Sequence, residues 1–113
     1  MALAAPAPID IGLLVAQQGA DDVIQSYRAG TLGSGMSRVV ENMIKVCTVT
    51  GPGAQQVADD TVRTCLERWT DATEHGDAHA AARNLMLASC TLAGFRLHIE
   101  TASTVTRRRR LSA

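Results

Sequence analysis

The spacing of its apolar residues is the feature that most restricts the fold of this chain. Between residues 36 and 47 the apolar positions recur at i, i+3, i+4, i+7, i+8 and i+11, which is the pattern of one face of an α-helix. They are Met36, Val39, Val40, Met43, Ile44 and Cys47. The best strand signal, the β-branched residues 46–50, is much weaker. The sequence therefore predicts an all-α fold.

The same period predicts further helices on both sides of this one. Residues 10–29 fit one helix or two short ones, residues 54–74 fit a third region, and residues 78–101 a fourth. Glycine-containing segments separate them, and Ser37 and Asp77 are expected to cap the helices that follow. The fourth helix is apolar on most of its circumference, so we expect it to be central or to offer a face to another chain.

The length of 113 residues corresponds to one domain. Short loops favour antiparallel neighbours, so we expect a compact antiparallel bundle of about four helices over residues 10–104. An extended leader over residues 1–9 and a flexible basic tail over residues 105–113 complete the expected organisation. Aromatic residues make up only 3% of the chain. The core must then be aliphatic and bury less area, which favours oligomerisation.

Charge is divided sharply along the chain. Residues 107–110 are four consecutive arginines, whereas all 11 acidic residues and the other 7 basic residues precede them. The body therefore carries about −4 and the tail about +4, which cancel to the net charge of zero. Such a split predicts that Arg107, Arg108, Arg109 and Arg110 bind an anionic partner, either protein or nucleic acid, unless they form only a solvated terminus. A membrane surface is the least favoured partner, because no amphipathic or lipidated anchor accompanies the arginines.

Cysteine and hydropathy patterns indicate the compartment. No apolar run is long enough to span a membrane, and residues 1–8 lack the basic and apolar regions of a secretory signal. Three widely spaced cysteines do not suggest a disulfide framework, so buried thiols and a cytoplasmic location are expected.

Few residues suggest chemistry. His75, Asp77 and His79 are weak metal-ligand candidates, because the two histidines are four residues apart but Gly76 and Asp77 indicate a helix boundary. We interpret the segment as a polar turn between helices. The pairs Asp21/Asp22 and Asp59/Asp60 are explained by the dipole at helix N-termini. No nucleotide-binding, hydrolase or metalloprotease motif is present, so we expect neither a catalytic site nor a cofactor.

These observations favour a non-catalytic helical interaction or assembly subunit, such as an adaptor, a chaperone or a structural component, that forms oligomers or joins a larger complex. The residues expected at its interface lie on the fourth helix and are Met86, Phe95, Leu97 and Ile99. The alternative is a subunit of a nucleoprotein assembly whose arginine tail binds phosphates without sequence specificity. The sequence identifies no small-molecule ligand.

Overall fold

The computed structural model describes residues 7–111, which are helical apart from short connections. The helices are α1 (Pro8–Ala29), α2 (Ser34–Thr50), α3 (Ala54–Glu74) and α4 (Ala78–Leu111). One turn of 3-10 helix, Gly51–Gly53, joins α2 to α3. No strand occurs among the described residues, and residues 46–50 are helical. The predicted all-α class is confirmed.

Helix α1 is a single helix from Pro8 to Ala29. Proline is suited to the first helical turn because it has no N–H to leave unpaired. The extended leader predicted over residues 1–9 is therefore wrong at Pro8 and Ile9, and residues 1–6 lie outside the described part of the chain. The helix ends at Gly30, whose φ of 72° is left-handed and favours glycine.

The two predicted caps have different outcomes. Helix α2 begins at Ser34, so Ser37 lies inside its first turn, where its hydroxyl donates to the Leu32 carbonyl at 3.3 Å. The prediction that Ser37 caps α2 was wrong. Asp77 does cap α4, because its Oδ1 accepts a hydrogen bond of 3.0 Å from the backbone N–H of Ala80.

Helix α4 is central and packs against α1, α2 and α3. It runs antiparallel to α3, since Trp69 and Leu85 share one cluster near the connecting turn and Ala54 and Phe95 share another at the far end. Helix α1 instead follows the same general direction as α4, as the ion pairs Asp21–Arg96 and Arg28–Glu100 show. Loop length predicts direction only for helices adjacent in sequence, and α1 and α4 are not adjacent.

Small side chains fill the core. Three buried clusters lie around α4, and the largest fully buried side chains are those of Val40, Cys47 and Cys90. Small side chains allow close approach of helices but limit the apolar area that each residue buries. The predicted aromatic-poor, aliphatic core is confirmed.

Helix α4 continues ten residues beyond its predicted end at 101. Its 34 residues correspond to roughly 51 Å at 1.5 Å per residue, close to the 57 Å longest dimension of the molecule. Every residue from 99 to 110 is exposed, so the last turns lie outside the packed body. No glycine or proline follows residue 101 to end the helix, and the arginines at 107–110 are good helix formers, although the β-branched residues at 101 and 104–106 are weaker ones. Residues 101–110 are called the arm below.

Candidate functional site

The end of the arm concentrates positive charge. All four arginines, 107–110, lie on the last turn of α4 and are exposed. Successive helical residues are separated by about 100°, so four in a row place guanidinium groups on every side of the helix. The negative end of the helix dipole lies here and favours cations. The arm therefore ends in a cationic tip rather than a basic stripe.

The chemistry of this tip is anion binding. Guanidinium groups donate paired hydrogen bonds to carboxylates or phosphates, and both kinds of partner fit the observed exposure. Residues 101–110 contain no aromatic side chain, so stacking on nucleic-acid bases has no support from the arm.

The four predicted interface residues are divided between surface and core. Met86 and Ile99 are exposed. Leu97 is only 8% exposed and belongs to the cluster that joins α1, α2 and α4. Phe95 is half-buried against the cluster of Met43 and its neighbours. Because α4 uses most of its apolar circumference within its own chain, Leu97 is not available to a partner.

An exposed apolar stripe on α1 was not predicted from the sequence. Ile11, Leu14 and Val15 lie at i, i+3 and i+4, on one face, and are 48%, 60% and 43% exposed. The buried face of the same helix consists mainly of small residues, namely Gly12, Ala16, Ala20 and Val23. The spacing of these small residues could have revealed the stripe from the sequence. It predicts that their face of α1 packs against the rest of the chain, which leaves the larger apolar residues exposed.

A groove runs between the N-terminal half of α1 and α3, with a volume of about 550 Å³. Its apolar lining is contributed by Ile9, Leu13, Val62, Leu66 and Leu92. Its charged lining is Asp10 from α1 with Asp59, Arg63 and Glu67 from α3. Three carboxylates against one guanidinium make this α1/α3 groove negative, with an apolar floor.

Two ion pairs lie between α1 and α4. Arg96 Nη1 lies 2.5 Å from Asp21 Oδ1, and Arg28 pairs with Glu100. All four side chains are more than a third exposed. Exposed pairs of this kind contribute little stability, so we assign them to orientation of α1 along α4.

The residues considered as metal ligands are held by other contacts. His75 Nδ1 lies 2.8 Å from the Asp71 carbonyl oxygen, and this hydrogen bond, with the Asp71 carboxylate, raises the pKa of His75. Asp77 caps α4, and His79 is exposed in the first turn of that helix. Within residues 7–111, no three His, Cys, Asp or Glu residues lie together as a metal site would require. The structure does not bring His75, Asp77 and His79 together.

The three cysteines are buried and free. Burial raises the pKa of the thiols of Cys47 and Cys65, and it raises the pKa of Cys90 to about 11. A thiol with a raised pKa has little reactive thiolate at neutral pH. These cysteines therefore act as small apolar residues in the core.

Comparisons with protein-family models, with curated proteins and with solved structures gave no match to this chain. Among residues 7–111, none of the helices combines the length and apolar character needed to cross a membrane.

Proposed function

We propose that this protein is a non-catalytic assembly subunit, which binds protein chains, including copies of itself, through the exposed apolar stripe of α1. The single observation that carries the proposal is the exposure of Ile11, Leu14 and Val15 on one face of a helix whose other face is packed. An adaptor, a chaperone and a structural component all use a surface of this kind.

A partner that covers this stripe removes apolar surface from water, which is favourable in free energy. Burial of apolar surface contributes roughly 25 cal/mol per Å², and contiguous apolar patches on a folded surface are typical of interaction sites. A body with a core of small side chains gains more than most from a partner that buries further area. Met86 on α4 and Val49 on α2 are further exposed apolar side chains.

The test is the mass of the protein in solution, measured by sedimentation and light scattering over a range of concentrations. We expect an oligomer for the original chain and dissociation for Leu14→Glu, since a carboxylate would be buried in the contact. Gln55→Glu is the matched control, because it adds the same charge at an exposed position on another helix, α3. A monomer at all concentrations, or equal masses for both variants, would contradict the proposal.

Nucleic-acid binding is the second candidate function, and the exposed cationic tip favours it. Each phosphate neutralised by an arginine releases counterions, so binding would weaken steeply with salt, by a slope of about 0.9 per contact on logarithmic axes. A chain ending at Thr106 should lose this binding. Retention of nucleic acid by the shortened chain would exclude the tip as the binding element.

A cytoplasmic location is part of the proposal. Three free, buried cysteines suit a reducing compartment, where thiols are not oxidised to disulfides. The proposed subunit uses no cofactor.

A further inference from the structure

We propose that the arm of one copy binds in the α1/α3 groove of a second copy. The inference rests on the proposed function, because it requires that copies of the chain associate. It adds the α1/α3 groove as a second interaction surface and names the arm as the segment that binds there. The pairing is between a helix that extends outside its own body and a groove whose charge is opposite.

The groove and the arm carry opposite charges. The groove carries Asp10 on one wall and Asp59 and Glu67 on the other, with Arg63 as the single opposing charge. The arm ends in four arginines that surround the helix. Because guanidinium groups point in all directions, the arm carries positive charge into the groove whichever face it turns inward. The acidic side chains of each wall can then pair with an arginine of the arm.

The distance along α4 shows which copy supplies the arm. Leu92 lines the groove, and Arg109 follows it by seventeen residues within one continuous helix. At 1.5 Å per residue, the tip lies roughly 25 Å further along the axis. The arm thus points away from the groove of its own chain and cannot enter it without breaking α4. Only a second copy can supply it.

The apolar floor also has a counterpart on the arm. Val105 is exposed and lies on the same helical face as Arg108 and Arg109, which follow it at i+3 and i+4. That face would place an apolar side chain over the floor lined by Leu13 and Leu66 while arginines meet the walls. Apolar contact and ion pairing are then made by adjacent turns of one helix.

The decisive experiment mixes two variants. In the first, the four arginines 107–110 are changed to glutamine, which leaves the groove intact. In the second, Asp10, Asp59 and Glu67 are changed to lysine, which leaves the arm intact. Circular dichroism and thermal unfolding are used to check that both variants fold. Their association is measured separately and as an equimolar mixture by sedimentation.

We expect each variant to associate with itself at least about tenfold more weakly than the original chain. The mixture should bind at least threefold more tightly than either variant alone, since it combines an intact groove with an intact arm. A matched control changes Glu41, Asp71 and Glu74, which lie outside the groove, to lysine and should associate as the original chain does. A mixture no tighter than its components would overturn the inference.

The outcomes separate the inference from the proposed function. An oligomer that persists unchanged in both variants would leave the proposed function standing and remove the arm from the groove. A monomeric original chain would remove both. A photoreactive residue in place of Gln17, which also lines the groove, should cross-link to the arm of an isotopically distinct copy. Cross-links to residues 1–6, or to α1 of the second copy, would name another occupant and overturn the inference.

Discussion

Gly94 lies directly against the backbone of Val40. A methyl group at position 94 would be 2.9 Å from the Val40 carbonyl oxygen, closer than carbon and oxygen atoms pack. The same methyl would be 2.7 Å from Cβ of Met43. A backbone carbonyl within a helix cannot move aside as the end of a long side chain can. The absence of a side chain at residue 94 therefore sets how closely α2 and α4 approach.

Replacement of Gly94 by alanine should destabilise the fold by about 1–3 kcal/mol, the usual cost of overpacking a core. Gly35 is the matched control, because it also lies in a helix but has no atom within 4 Å of an added methyl. Gly35→Ala should stabilise the fold by less than about 1 kcal/mol, because residue 35 lies in the first turn of α2, where helix propensity acts less than in a helix interior. Urea unfolding of both variants checks the signs, and a loss of equal size in the two would contradict the packing argument.

The cap of α4 gives a second prediction. Asp77→Ala removes the acceptor of the Ala80 N–H and should reduce the free energy of unfolding by about 1 kcal/mol. Asp77→Asn is the control, because asparagine caps helices about as well as aspartate. If the asparagine variant loses as much stability as the alanine variant, the charge of Asp77, rather than its hydrogen bond, must be responsible.

The positions of the helices and the cap at Asp77 could be predicted from the sequence, because they depend on interactions between residues that are close along the chain. The apolar period found the helices, and Asp77 was recognised as a cap because Gly76 precedes it and a helical pattern follows. Ser37 failed as a cap because α2 begins three residues earlier, at Ser34, within a segment interpreted as a glycine-rich loop. Glycine content indicates flexibility but does not exclude a first helical turn.

The surfaces were harder to predict, because they depend on which helices meet. An apolar residue on α4 can face its own chain or a partner, and Leu97 proved to face its own chain. The stripe at Leu14 was missed for the opposite reason, since small residues such as Ala16 and Ala20 were sufficient for packing. The arm was placed outside the helix because the apolar period stops near residue 101. A helix needs a periodic apolar face only where it packs against the rest of the protein, and the arm does not.

The ion pair between Asp21 and Arg96 should contribute little to stability. Both side chains are well exposed, so water and salt screen their attraction despite the 2.5 Å separation of Oδ1 and Nη1. A double-mutant cycle with Asp21→Asn and Arg96→Gln should give a coupling free energy of about 0.2–1 kcal/mol. The coupling should decrease further in 1 M salt. A value above about 2 kcal/mol would mean that the pair is shielded from solvent, contrary to its exposure.

Burial of Cys90 predicts a loss of stability at alkaline pH. Its pKa in the folded chain is about 11, whereas the unfolded thiol titrates near 9. Between these values the folded state holds a proton that the unfolded state releases, so the free energy of unfolding falls as pH rises. The stabilisation is complete below about pH 9 and lost by about pH 11, with a total of roughly 2–3 kcal/mol.

The control for this prediction is Cys90→Ala, compared with the original chain by urea unfolding at several pH values. The variant should begin less stable, because a small cavity replaces the thiol. Its stability should then decrease less between pH 9 and 11, and the difference between the two curves isolates Cys90. Parallel curves would show that the thiol does not titrate differently in the folded state.

The last prediction concerns the helical state of the arm. Arginine and glutamine have similar helix propensities, so glutamine at residues 107–110 changes mainly the charge at the C-terminal end of α4. Each favourable charge near a helix C-terminus contributes about 0.3–1 kcal/mol, and losing four should unwind the last turns. The circular dichroism signal should decrease, whereas the unfolding temperature of the body should stay the same, because residues 99–110 are exposed and outside its core. Lysine at the same four positions keeps the charge and should preserve the signal, so equal losses with lysine and glutamine would exclude the dipole as the cause.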